Sequence, residues 1–496
     1  MSTRTPTSNR PFDPSRRRIL TGMAAAGAAG LATSCSNSSS SAPPPLPAPE
    51  DSGIDHIVVV MMENRSFDSV MSWVPGANGA TNRYFTDSAG NTYQNFPLSS
   101  SSYGWQGCGY ADPDHSYDGG RTQLANGTMN GFLLTQPLED QFPIGYYNRE
   151  DVQFFAGCAD NWTICDSYHC GILSCTLPNR MYMHTGQTDR ITNTLATCYL
   201  PTIWDSLIAK GVTGRYYYAD TPILALFQNY KSYKSANMVQ NLAQFATDFS
   251  EGGTPASVSY IDPYMGFAIG ESLGTSWDDH AFADIRNGQC FLNYIYNVVR
   301  NSPNWAKTLL IVNYDEWGGF ADHVAPWYAP IGPSDVSIGN DGLLGFRVPC
   351  IAIGPMARRG YVDHTALDPN SILNFICWRF GMDPLGYRAS SINFANVLDF
   401  SSSTPDTTAP EFTVTYDGST GPLPTEAPFT PPSSTGKASD VFGAKCSGVP
   451  ANAALNIEAL QGLAPQASTE ALRRLQQHYA EVHMIQQIAR NQGTDI

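Results

Sequence analysis

"HIVVVMMENRSFDS", residues His56 to Ser69, runs an unbroken apolar stretch with β-branched members straight into Glu63, Asn64 and Arg65. Such a run reads as a strand covered on both faces, the kind found inside a parallel sheet. A strand of that kind ending in a carboxylate and an amide raises the question of what those polar groups meet. Similar runs recur at Arg215–Tyr218, Val258–Ile261, Thr308–Tyr314 and Val348–Ile353. Helical patterns lie between them: Thr202–Lys210 stops at Gly211, Phe282–Arg300 is longer, and Asn370–Phe380 starts behind Pro369 and stops at Gly381. The alternation predicts an α/β fold with a central, mainly parallel sheet flanked by helices. Sheets of this type bind ligands at the carboxyl ends of their strands, which is where Glu63 falls.

The 496 residues, 42% of them hydrophobic, can bury a sizeable core in one large domain or two ordinary ones. The N-terminus has a different character. "SRRRIL" (Ser15–Leu20) precedes an Ala/Gly-rich stretch from Thr21 to Ala32. That stretch is too short and too weakly apolar to span a membrane, and the order fits a twin-arginine export signal over residues 1–35. A Ser/Pro-rich tether, 36–53, follows Cys35, which is open to lipidation as an anchor. A catalytic domain is expected over 54–400. Residues 401–496 are expected to add a Ser/Thr/Pro-rich loop (Ser401–Gly436) and a terminal helix (Ser468–Arg490) packed on that domain. The expected destination is the periplasm, the cell envelope or the exterior.

Removing residues 1–35 takes away five Arg and one Asp and leaves 23 basic and 43 acidic residues, a formal charge near −20. That balance argues against nucleic acid as a partner and gives no general attraction to anionic lipid. Eleven Cys are present, ten without Cys35. There is no CxxC, and Cys158, Cys165, Cys170 and Cys175 lack paired metal-ligand spacing, so they read as buried thiols or as one or two bridges.

A second apolar run, "TLLIVNY", leads into Asp315-Glu316, so Glu63, Asp315 and Glu316 should emerge at the same edge of the sheet. Three carboxylates in a small volume repel one another. One hard divalent cation with oxygen ligands would relieve the repulsion; separate pairing with backbone amides or Arg side chains is the alternative. In "CTLPNRMYMHTG" (Cys175–Gly186), Thr176 stands at a helix N-cap position with Pro178 in the first turn. Free N–H groups there would make an anion site, and a threonine held beside a cation can attack phosphorus, though a plain cap has the same pattern. His115 in "DPDHSY" and His280 in "WDDHAF" lie in polar stretches, where an imidazole can bind a phosphoryl oxygen or protonate a leaving alcohol. Trp105, Tyr110 and Tyr117 surround His115, and Trp317, Phe320 and Trp327 follow Asp315. Each can serve a quaternary ammonium group or acyl chains, or be ordinary core.

"IDHIVVVMMENRSFD", "DPDHSY", "TICDSYHCGILSCTLPNR", "SPNWAKTLLIVNYDEWGGFADHVAP" and "GFRVPCIAIGP" occur in the order seen in the bacterial phosphoesterase family of phospholipases C and acid phosphatases. The chain resembles that family from about Ile54 to Asn396. The resemblance implies an alkaline-phosphatase-like α/β sandwich and metal-assisted attack by a hydroxyl on a phospholipid or similar phosphoester, met at a membrane surface. It implies that Glu63, Asn64, Asp315 and Glu316 hold the cation, that Thr176 is both ligand and nucleophile, and that His115 and His280 contact the phosphoryl group. Asn179, Arg180 and His323 would lie on the substrate side, and Arg65 would pair with a carboxylate. Two departures stand out. Pro369 in "LDPNSIL" replaces the family's His, so that either His364, five residues earlier, substitutes from a shifted loop or the group is dispensable, and Trp317 in "DEWGG" replaces a small polar residue and would narrow the pocket. Arg65 and Arg180 are the main cations near the motifs, which favours a singly charged diester of phosphatidylcholine type over a monoester. Acid phosphatase activity and a non-catalytic, lipid-binding envelope role are the alternatives; a sulfatase-like enzyme is opposed by the order Thr-Leu-Pro-Asn-Arg.

Overall fold

In the computed structural model, which describes residues 45–105, 107, 110–265, 276–414 and 484–494, the opening motif is strand β1, His56–Met62, buried from Ile57 onward. Seven further strands complete the central sheet: β2 Thr163–Cys165, β3 Gly214–Tyr218, β4 Val239–Asn241, β5 Val258–Asp262, β6 Thr308–Tyr314, β7 Cys350–Ile353 and β8 Tyr361–Asp363. Their order is β8-β2-β7-β6-β1-β5-β3-β4, and among these eight only β7 runs against the rest. The mixed α/β architecture with a mainly parallel sheet is as expected, while the run at Val348–Ile353 yields a shorter, antiparallel strand. In the β1–β6 pairing Met62 stands opposite Tyr314, so Glu63 and Asp315 leave the sheet side by side.

The helices that matter below are α1 Phe67–Met71, α2 Tyr117–Leu124, α3 Thr176–Thr185, α4 Ile203–Lys210, α5 Ile285–Arg300 and α6 Pro369–Phe380. Their ends follow side-chain chemistry. Thr202 Oγ1 accepts from the Asp205 N–H while the Asp205 carboxylate takes the Thr202 N–H, and Gly211 closes α4 in the left-handed conformation. Asp284 caps α5, which begins at Ile285, three residues inside the expected start at Phe282. Asp368 caps α6, which starts at Pro369 itself, where its fixed φ and missing N–H cost nothing.

The part of the Ser/Thr/Pro-rich loop described, 401–414, lies along α5: Tyr296 donates to the Pro410 carbonyl (2.7 Å) and Trp305 Nε1 to that of Thr407 (2.8 Å). Residues 484–491 are helical, with Ile485 and Ala489 buried and Gln486 Nε2 donating to Thr221 Oγ1 (3.1 Å). The export signal, Cys35, residues 415–436 and the first part of the terminal helix lie outside the described residues. All eight described cysteines, Cys158, Cys165, Cys170 and Cys175 among them, are buried, and no disulfide joins any two of them, so the cluster is not bridged within itself. No helix among the described residues is long and apolar enough to cross a membrane.

Candidate active site

The ends of β1, β5 and β6 bring Glu63, Asp262, Asp315 and Glu316 together, all buried. Glu63 leaves β1 with its N–H on the Asp278 carbonyl (2.8 Å). Asn64 then turns the chain in the left-handed region (φ 62°), its N–H donating to Asp315 Oδ1 at 3.3 Å. Gly318 closes in from the other strand, also left-handed (φ 60°); a Cβ there would stand 2.3 Å from the Asn64 carbonyl oxygen, so only glycine permits the approach. Facing these strand ends is the start of α3, where Thr176 Oγ1 donates to Glu63 Oε1 (3.2 Å). Thr176 is the first helical residue, not the cap, a place that Cys175 holds. The Leu177 N–H donates to Asn193 Oδ1 (2.8 Å) and Pro178 has none, so this helix start offers fewer open donors than its sequence suggests.

Two residues expected on the substrate side are engaged elsewhere. Arg180 is buried, with Nε on Asp315 Oδ2 (3.1 Å), Nη1 on Asp262 Oδ1 (2.9 Å) and Nη2 facing Glu63 Oε2 (3.5 Å). Burial opposes its charge, and Asp262, Asp315 and Glu63 outweigh that effect. The Asn179 amide accepts from the Ile172 N–H (3.0 Å) and donates to the carbonyls of Ser174 (2.7 Å) and Cys175 (3.1 Å), so it shapes the approach to α3. Arg65 meets a backbone carbonyl, that of Asp279 (2.8 Å), in place of the expected carboxylate, and its guanidinium lies 4.2 Å over the Phe320 ring.

Even with Arg180 present the cluster carries excess negative charge. Burial, with Glu63 adding repulsion, pushes the Asp315 carboxyl well above its usual range; burial and then Asp315 do the same to Glu316. Both side-chain amide atoms of Asn64, and Glu316 Oε1, are buried without a hydrogen-bond partner among the described residues. Amide and carboxylate oxygens without donors, next to crowded carboxylates, suit a hard divalent cation.

Beside this cluster stands a second set of groups. His115 Nδ1 donates to the Pro113 carbonyl (2.8 Å), leaving Nε2 3.8 Å from Glu316 Oε1. The ring of His280 is 6.2 Å from that of His115, and its Nε2 is 4.0 Å from Asp112 Oδ2. Ligand atoms of Asp112, His115 and His280 lie within 4.8 Å of one another, as a metal site or a phosphoryl cradle requires. Asp112 was not singled out in the sequence, although it begins the same "DPDHSY" run, and Asp262 was missed although it ends a strand as Glu63 follows one.

His323 belongs to a different group, in which ligand atoms of Asp68, Asp322 and His323 also lie within 4.8 Å. There His323 Nδ1 donates to Asp68 Oδ2 (2.6 Å), and Arg347 bonds Asp322 (2.9 Å) and Asp68 (3.1 Å), supplying positive charge of its own. His364, the expected substitute at Pro369, bonds Asp166 Oδ2 (2.8 Å), and the Asp166 carbonyl accepts from Arg347 (2.8 Å), so His364 joins this group. Trp317 does not narrow the cleft: its Nε1 donates to Gln123 Oε1 (2.8 Å) and its ring meets Phe346 edge-on at 5.1 Å inside the core.

With this geometry in place, the Phosphoesterase family profile matches residues 54–383, and the chain belongs to that family and with it to the phosphoric ester hydrolases. It is 30% identical over 351 residues to the non-specific phospholipase C6 of Arabidopsis thaliana, an alignment covering 64% of this chain and 65% of the plant protein. It is 30% identical over 458 residues to phospholipase C A of Mycobacterium tuberculosis, covering 77% of this chain and 85% of that protein. Among solved structures, a protein of the alkaline phosphatase superfamily from Vibrio parahaemolyticus aligns over 48% of this chain and 64% of its own, with a TM-score of 0.32 and 11% identity.

Proposed function

We propose that the protein is an exported, cation-dependent phospholipase of the C type, which cleaves a phospholipid or similar phosphodiester through Thr176. The observation that carries this is the bond from Thr176 Oγ1 to Glu63 Oε1, which fixes the hydroxyl against the carboxylate cluster at the strand ends. Glu63, Asn64, Asp315, Glu316 and Thr176 would hold one divalent ion, which when bound stabilises negative charge on the phosphoryl group. Glu63 orients the Thr176 hydroxyl and accepts its hydrogen as the oxygen attacks phosphorus. The glycerol oxygen leaves with its electron pair and is protonated from the side of His115 and His280. Water then opens the phosphothreonine, returning the threonine and releasing a phosphorylated headgroup.

A diester is favoured over a monoester because Arg180 spends its donors on three carboxylates and Arg65 Nε is bound to a backbone carbonyl. Arg180 thus keeps no donor for a dianion, and the remaining Arg65 nitrogens are buried, the guanidinium lying over the Phe320 ring. The proposed organisation is a twin-arginine signal over 1–35, a tether over 36–53, a catalytic domain over 54–400 and a C-terminal segment over 401–496 packed on it. Initial rates on a chromogenic phosphocholine diester and a chromogenic phosphate monoester test the substrate class. The diester should be preferred by about tenfold or more, a transition-state difference of ~1.4 kcal/mol; a monoester preference of that size overturns the assignment in favour of an acid phosphatase.

A further inference from the structure

We infer that the segment 324–343, together with the turn bearing Tyr387, is the surface by which the enzyme settles on a zwitterionic phospholipid bilayer. Between His323 and Asp341 the chain reads "VAPWYAPIGPSDVSIGN", in which Asp335 is the one charged residue, and Asp335 is buried. Yet the segment turns large apolar side chains outward, with Tyr328 69% exposed, Val336 61% and Trp327 36%, and Tyr387 on the neighbouring turn is 50% exposed. In a chain with 15% charged residues, such a stretch needs a partner that does not reward charge.

These side chains stand on one short stretch of chain and on the turn packed against it. Tyr387 packs on Gly332, where a Cβ would stand 1.9 Å from its ring, and Val336 lies one turn beyond, its N–H on the Gly332 carbonyl (3.1 Å). Tyr328 bridges to Leu343, and the Trp327 ring meets His169 edge-on at 4.3 Å. The patch is also tied to the nucleophile helix. The Tyr182 hydroxyl of α3 donates to Asp335 Oδ1 (3.0 Å) and accepts from Arg388 Nη2 (3.0 Å), while Arg388 Nε holds the Pro330 carbonyl (3.2 Å). Tyr182 is six residues along α3 from Thr176, about 9 Å of helix rise. The segment and Thr176 are therefore held on one framework, α3 and its Tyr182–Asp335 bond.

The choice of lipid follows from charge. The exposed ionic groups flanking the two segments are Asp341, which pairs with Arg121 (2.7 Å), and Asp383. The whole chain carries a formal charge of −16. Anionic lipid is repelled by such a surface, whereas a phosphatidylcholine interface accepts Trp and Tyr at its headgroup level. The inference rests on the phosphodiester reading for what happens next to the surface, but not for the docking itself.

The experiment uses the full chain and the double variant Tyr328→Ser, Val336→Asn, whose altered side chains are exposed. Co-sedimentation with phosphatidylcholine vesicles is measured alongside initial rates on those vesicles and on a soluble chromogenic phosphocholine diester. Vesicle partitioning and vesicle hydrolysis should both fall by about tenfold, with the soluble rate within about twofold of the parent. Unchanged partitioning overturns the assignment. So does a variant whose only change is loss of a dimer, since the patch would then be covered by a second copy. A parent that binds vesicles through this patch yet hydrolyses neither substrate keeps the docking surface and removes the catalytic reading, so the two fail separately.

Discussion

Arg180 commits its nitrogens to Asp315, Asp262 and Glu63 inside a buried cluster. Removing one partner from such a network leaves uncompensated charge and typically costs ~3–5 kcal/mol. Arg180→Met is therefore expected to lower the unfolding free energy by about that amount, read by urea denaturation at pH 7, with Arg180→Lys losing less because the charge stays. An Arg180→Met protein as stable as the parent, showing only a raised KM, would make the residue a substrate contact after all. Asn64 and Gly318 act differently: both adopt left-handed backbone where the two strand ends converge, so their importance is conformational before it is chemical.

Among the elements, β1 and β6 are legible because their apolar runs are long and covered on both faces, and α4 and α6 because their caps and closing glycines are written in the chain. The three-residue strands β2, β4 and β8 show no period, and the reversal of β7 depends on its neighbours and leaves no local mark. Glu63, Asp315 and Glu316 could be found because carboxylates next to buried strands are conspicuous. The roles of Asn179 and His323 could not, because an amide or imidazole in a motif does not reveal whether it turns inward to a carbonyl or outward to a ligand. His169, between β2 and α3, shows the same ambiguity: it is buried, Nδ1 donates to the Gly345 carbonyl (2.8 Å), and burial pulls its pKa from 6.5 down to about 4. The native state resists protonating it while the unfolded chain accepts the proton near pH 6.5. Its stabilising share is thus complete above that pH and is lost as pH falls toward 4. His169→Gln should gain stability relative to the parent by ~2 kcal/mol on going from pH 7 to pH 5, from about 1.4 kcal/mol per unit. Guanidinium titrations at the two pH values check this; a parent–variant difference that does not change with pH contradicts a neutral, buried His169.

At the scale of the molecule, seven strands of common direction deliver their carboxyl ends to one side, and Glu63, Asp262, Asp315 and Glu316 stand buried together there. The fold thus gathers the carboxylates that would hold the proposed cation and sets the Thr176 hydroxyl beside them, while the nearly uncharged segment 324–343 is anchored to the same helix through Tyr182. Removing the hydroxyl tests this account most directly. Thr176→Ala deletes one hydrogen bond, worth ~1 kcal/mol of stability, and should leave the folded protein intact. On the chromogenic phosphocholine diester, with the divalent ion supplied, its kcat should fall by about a thousandfold or more, and Thr176→Ser should restore part of the loss. A folded Thr176→Ala protein that turns over at close to the parental rate would contradict a threonine nucleophile at the start of α3.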